Sequence, residues 1–131
     1  MFKVVVDRSH AIVSMTAEGF FAEADLVAAA AQLHAAIRSL GERAGHHVTL
    51  YDLTGLLVVT AAVLEKFGSY FTDPAYRSIW ARRAALVTHS PMVTMQMNRV
   101  RSERVSLKVF DSRVEAMAWL LAAEDRRHIA A

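Results

Sequence analysis

Residues 48–71 read VTLYDLTGLLVVTAAVLEKFGSYF, and the reading of this stretch decides the fold. It opens on VTLYDL, an apolar run broken only by Thr49 and Asp52, which suits a strand covered on both faces. It closes on a helix whose buried stripe is Val63, Phe67 and Tyr70 or Phe71. Thr60 stands at the head of that helix, where its hydroxyl can accept a backbone N–H bond as a cap. Between strand and helix lies TGLLVV, residues 54–59, read here as a loop in which Gly55 permits a tight turn. A strand leading through a loop into a helix is the unit of an α/β domain. In such domains ligands and partners gather outside the carboxyl ends of the strands.

The same alternation extends in both directions. Upstream, residues 2–7 (FKVVVD) are β-branched and apolar, and residues 10–16 alternate Ile12, Ser14 and Thr16 against Ala11, Val13 and Met15. The short link between them predicts an antiparallel hairpin. Gly19-Phe20-Phe21 breaks the strand pattern. A helix then runs to about residue 40, with Leu26, Ala30, Leu33, Ile37 and Leu40 on one stripe and Gly41 as its stop. Downstream, Pro74 ends the second helix, and the run AALV within residues 83–89 reads as a buried strand. Ser90-Pro91 starts a third helix, serine as cap and proline at the first position. That helix presents Met92, Val93, Met95, Met97 and Val100; methionines 92, 95 and 97 could form a pliable binding surface, and core packing is their preferred role. Residues 105–110 form a fifth strand. Ser112 and Glu115 make a capping box for a last helix with Val114, Met117 or Ala118, and Leu121 on its inner face. The order ββαβαβαβα predicts a single α/β domain with a five-stranded mixed, mostly parallel sheet. The domain is expected to span residues 1–124, with 125–131 as a frayed C-terminal tail.

Composition narrows the function. The chain has no cysteine, which excludes disulfides, thiolate metal sites and a cysteine nucleophile. MFKVVVDRSH lacks the apolar run and cleavage site of a signal peptide, and no stretch approaches the length of a membrane span. The expectation is a cytoplasmic protein without a transmembrane segment. Residues 77–113 hold eight Lys/Arg and two Asp/Glu, a net of +6, while the rest of the chain is acidic. Such asymmetry can mark an anionic partner, and Arg99, Arg101 and Arg104 are the candidate anion-binding residues. The region carries no interleaved aromatics and no helix-turn-helix pair, so no nucleic acid is expected.

No reactive constellation converges. His46-His47 would point to opposite faces of a strand, and no spacing typical of a metal site occurs, so no metal is expected. There is no GxSxG elbow, GxGxxG or Walker loop, so no cofactor is expected. His89-Ser90 follows a strand, but a serine before proline is better explained as a cap. Asp52 is the lone acid in an apolar strand. Burial could make it a general base, and capping of the neighbouring backbone is the preferred reading. No catalytic residue is assigned.

Two features together, the strand-order pattern and the stretch DLTGLLVVTAAVL, resemble the STAS domain family, the anti-sigma-factor antagonists, and most closely their SpoIIAA-like bacterial branch. Asp52, Leu53, Thr54 and Gly55 match the family's D-L-[ST]-G-type turn, and Leu64 matches the apolar residue after its helix start. The resemblance implies strands in roughly sequential order, the main helices on one face, and an interaction surface at this turn. The family's aspartate falls on Thr60, its phosphorylated serine on Ala61, its second serine on Ala62 and its glycine on Val63. Alanine has no hydroxyl, so a phosphate switch at that position is excluded.

The leading expectation is a non-enzymatic regulatory or protein-interaction module. Its partner, another protein or a second copy in a homodimer, would meet Thr54, Gly55, Leu56, Leu57, Val58, Thr60 and Leu64. Four apolar residues in a loop need a cover. The alternative is a small-molecule or lipid-binding domain resembling CRAL-TRIO proteins. A large apolar pocket would favour that alternative, and an apolar patch beside the second helix would favour the first reading.

Overall fold

The computed structural model describes residues 1–103 and 106–130, with residues 103 and 122–130 in backbone only. The chain forms β1 (Phe2–Asp7), β2 (Ile12–Phe20), α1 (Glu23–Arg38), β3 (Val48–Val58), α2 (Ala61–Thr72), β4 (Arg83–Val87), α3 (Pro91–Glu103), β5 (Leu107–Phe110) and α4 (Arg113–Ala130). Short 3₁₀ turns at Gly41–Arg43 and Pro74–Ile79 complete it. The five strands lie in one sheet in sequential order. β1 and β2 are antiparallel, and every later pair is parallel. The α/β class, the element order and the mixed sheet are as the sequence predicts.

Local chemistry explains the joints. The β1–β2 turn is closed by Asp7, which accepts from the Ser9 hydroxyl and the His10 N–H. The Ser9 hydroxyl first and the His10 ring at 2.9 Å second bring the exposed Asp7 carboxyl down to about 2. Thr60 caps α2 by accepting from Val63 N–H at 3.2 Å, Ser90 caps α3 through Val93 N–H at 3.3 Å, and Ser112 caps α4 through Glu115 N–H at 3.3 Å.

The sheet buries two unequal faces. On the larger, α1, α2 and α3 lay Leu26, Leu33, Ile37, Val63, Phe67, Phe71, Val93 and Met97 over Val13, Met15, Tyr51, Leu53, Leu86 and Leu107. Tyr51, Phe67 and Phe71 stack edge-on with centroids 5.2–5.4 Å apart. On the other face α4 alone sets Ala116 and Leu120 against Ile12, Val48, Leu50, Ala85 and Val87. Three helices therefore share one face and α4 takes the opposite one. Of the expected α1 stripe Leu26, Leu33, Ile37 and Leu40 are buried, while Ala30 is half-buried and Ala29 takes its place in the core. At Gly68, a Cβ would lie 2.8 Å from Val100 Cγ2, so the glycine lets α2 and α3 approach closely.

Four expectations are corrected. Gly19-Phe20 does not break β2, which continues to Phe20. Gly19 adopts φ 70° within it, beside a register shift against β3. Residues 54–58 are not a loop: β3 continues to Val58 along the extended β2. The inner face of α4 is Ala116 and Leu120, with Met117 half-buried, while Val114 is 80% and Leu121 46% exposed. Of the α3 methionines only Met97 packs in the core, and Met92 and Met95 face solvent. The fifth strand is described from Leu107. Its expected start at Val105 lies outside the described residues. The backbone of α4 stays helical across residue 124, where the domain edge is expected.

Candidate functional site

The carboxyl end of the sheet is built from β2, β3, the start of α2 and the start of α3. β4 stops at Val87, opposite Asp52, while β3 continues to Val58 with β2 alone beside it. Gly55 makes no turn there. Its missing side chain admits β2, because a Cβ on it would lie 2.9 Å from Glu18 Cγ and 3.4 Å from the Ala17 carbonyl oxygen. Phe21 N–H donates to the Val58 carbonyl at 3.3 Å and closes the end of this two-stranded arm.

The arm is apolar and uncovered. Leu57 is 83%, Phe20 61% and Val58 52% exposed, and across a groove Met95 is 58% and Met92 43% exposed. The groove, about 410 Å³, is lined by β3 from Leu53 onward, by Val59, by Thr88–Ser90, and by Met92 and Val93. A smaller depression of about 190 Å³ continues it past Ala61, Met92 and Met95 to Arg99. Of the residues expected to meet a partner, Thr54, Gly55, Leu57, Val58 and Thr60 are exposed and Leu56 is half-buried on this surface. Leu64 is in the core at 4% exposure, although its edge reaches the smaller depression. Sequence reasoning missed Phe20, and it preferred the core to a binding surface for Met92 and Met95. The i, i+3 spacing of the methionines placed them on one helical face, and nothing in the pattern said which way it looked.

Asp52 holds this end of β3 in place. Its carboxylate accepts from Thr54 N–H at 3.1 Å, from the Thr54 hydroxyl at 2.7 Å and from Arg113 of α4 at 2.9 Å. Burial pushes the carboxyl up, but the Thr54 bonds and the Arg113 guanidinium outweigh it and hold the group below its ordinary value. An ionised, fully engaged carboxylate is a poor general base. The capping role expected of Asp52 is thus the one its geometry supports.

The other candidates do not converge. The Ser90 hydroxyl is engaged as the α3 cap, and His89 turns its Nε2 to the Asp111 carbonyl at 3.0 Å. His47 is buried and its Nδ1 accepts from Gly45 N–H, while His46 is exposed. No group of three or more metal-ligating residues is present among the described residues. Arg99 and Arg101 are both exposed, and two residues apart on a helix they point to different sides. Arg104 lies outside the described residues. Beneath α1 and α2 the enclosed apolar cavities, one edged by Tyr51, Phe67, Trp80 and His34, each hold about 20 Å³, room for one water and no lipid. Burial, and then Arg38, lowers the His34 pKa beside the first of them. Among the described residues, no helix is long and apolar enough to cross a membrane.

No family model matches the chain, and no curated protein matches it. Among solved structures it is similar to an uncharacterized protein of the DUF3478 family with a SpoIIAA-like fold, from Shewanella loihica PV-4. The two share 19% identity at a TM-score of 0.60, covering 91% of this chain and 93% of that one. The likeness is one of fold: this chain has a SpoIIAA-like α/β fold.

Proposed function

We propose that this chain is a non-enzymatic interaction module that receives a protein partner on the carboxyl end of its sheet. One observation carries the reading: Leu57, Val58 and Met92 line one groove, Met92 and Met95 line the depression that continues it, Phe20 pairs with Val58 at the end of the arm, and all five are exposed. At roughly 200 Å² for a large side chain, their exposed fractions amount to about 600 Å², the upper end of what a monomer leaves bare without a use for it. The surface is uncharged and carries no converging reactive groups, which suits docking better than catalysis. The cavities beneath α1 and α2 are too small for the lipid-binding alternative. Control by phosphate on residue 61 is not part of the proposal, since that residue is alanine.

The test is comparative capture. Tagged wild-type protein and the Leu57→Glu and Met92→Glu variants are exposed to the same native extract, and retained proteins and small molecules are identified by mass spectrometry. Loss of the same retained protein in both variants, with melting unchanged, is the expected result. Identical retention by all three, or a co-purifying apolar small molecule unaffected by either substitution, overturns the reading.

A further inference from the structure

The 3₁₀ turn Pro74–Ile79 buries no residue of its own, so it lies on the domain as a strap. Tyr76 ties it down. Its ring centroid is 4.6 Å from that of Tyr70 on α2 and 6.1 Å from that of His34 on α1. Just past the turn, Trp80 Nε1–H donates to the Tyr70 carbonyl at 2.7 Å. His34, Ile79 and Trp80 line the cavity of about 20 Å³ whose wall includes Tyr51, Phe67 and Phe71. This cavity shares no lining residue with the docking groove. The Nε2 of His34 is buried and has no hydrogen-bond partner among the described residues. A neutral imidazole carries a proton on one nitrogen only and can leave the other bare. An imidazolium is a donor at both, and a buried charged donor without an acceptor is costly.

We propose that His34 is a proton-operated latch: its protonation releases the Pro74–Ile79 turn from α1 and opens the aromatic-lined cavity that Ile79 and Trp80 help to close. The groups around His34 give the added charge no anion. Arg38, one turn further along α1, is a cation and repels it. α2 contributes the Tyr70 phenol, whose pKa burial raises, and the strap contributes the Tyr76 phenol. Glu23, at the start of α1, is engaged by Lys66 at 3.1 Å, and Arg77 of the strap lies over the Trp80 ring. The Tyr76 ring, at 6.1 Å and 54°, is at the outer limit of a cation–π contact and compensates little. Burial first, and Arg38 second, therefore hold His34 below its ordinary value. The sign follows. The closed form is fully stabilised above an ordinary histidine value of about 6.5, and that stabilisation is lost as pH falls through the lower folded value. The strap is the element that yields, because α1 is anchored by buried Leu26, Leu33 and Ile37 and the strap by no buried residue.

The test is nuclear magnetic resonance of the wild type and His34→Gln between pH 8 and pH 5. It follows the His34 imidazole, the Trp80 indole N–H and, as a reference in the doubly paired β4, the Leu86 amide. Protection against hydrogen exchange is corrected for the intrinsic rate at each pH. In the wild type His34 is expected to titrate below the ordinary histidine value. Protection of the Trp80 indole is expected to fall severalfold with the same midpoint, while that of the Leu86 amide holds. In His34→Gln the indole protection is expected to stay level across the range. A His34 that titrates at or above the ordinary value overturns the proposal. So does an indole that stays protected while His34 titrates, since the ring would then have swung to solvent without moving the strap. Equal losses at Trp80 and Leu86 would mean general unfolding, and an unchanged indole response in His34→Gln would mean another group is responsible; either result overturns the latch. If His34→Gln does not fold, the wild type decides: indole and imidazole midpoints that differ overturn the proposal.

Discussion

β3 is one strand with two characters. Its first half, Val48 to Asp52, lies between two neighbours, with Val48 and Leu50 at 1% exposure or less. Its second half, Thr54 to Val58, has one neighbour and carries Leu57 at 83% exposure. The residue types hardly differ, since leucine and valine dominate both. What differs is the length of the partners: β4 ends at Val87 and β2 does not. Hydrophobicity alone therefore does not mark a core. The same leucine builds the fold where strands flank it and offers a surface where one strand has stopped.

That contrast can be broken at four points, each read by denaturant titration. Leu50 is fully buried in the doubly paired half, and Leu50→Ala is expected to cost roughly 2–5 kcal/mol. At the junction, Asp52→Ala leaves Thr54 N–H and Arg113 without their acceptor and is expected to cost about 2 kcal/mol. The pH dependence follows from the sign of its shift. The folded carboxyl is held below its ordinary value, so its stabilisation is fully present above an unfolded pKa of about 3.9 and is lost as pH falls through the lower folded value. The gap between wild type and Asp52→Asn should hold from neutrality to about pH 4 and close below it. Thr60→Ala, just past the open half, removes the α2 cap and is expected to cost about 1 kcal/mol. Leu57→Glu in the open half is expected to change monomer stability by no more than about 0.5 kcal/mol. A loss at Leu57 as large as that at Leu50 would mean that the two halves are equally part of the core, and the contrast would fail.

The sequence conveyed the element order because the strands are short apolar runs and α2, α3 and α4 open on readable caps, Thr60, Ser90 and Ser112. It also drew attention to the candidate surface, since the apolar excess at residues 56–59 was visible. Its form was not. Glycine 55 signals a turn in local grammar, and its actual use, admitting Glu18 and Ala17 of β2, is a contact between residues far apart in the chain. Gly19 misled in the same way. The α4 face was illegible for another reason: VEAMAWLLAA is apolar nearly all round, so periodicity selects no side. The small alanine-containing surface of the sheet then favoured Ala116 over its larger neighbours. Asp52 could be recognised as a cap, but its Arg113 partner, 61 positions away, could not.

Gly68 sets a mechanical condition on the site. Because nothing larger than hydrogen fits between α2 and Val100, the two helices are geared together, and neither can shift along the other without driving it. Ala61 at the head of α2 and Met92 at the head of α3 line the smaller depression together, one on each of these helices. The spacing of the proposed docking surface is thus tied to a contact in the core, where a single added methyl group at residue 68 would press on Val100.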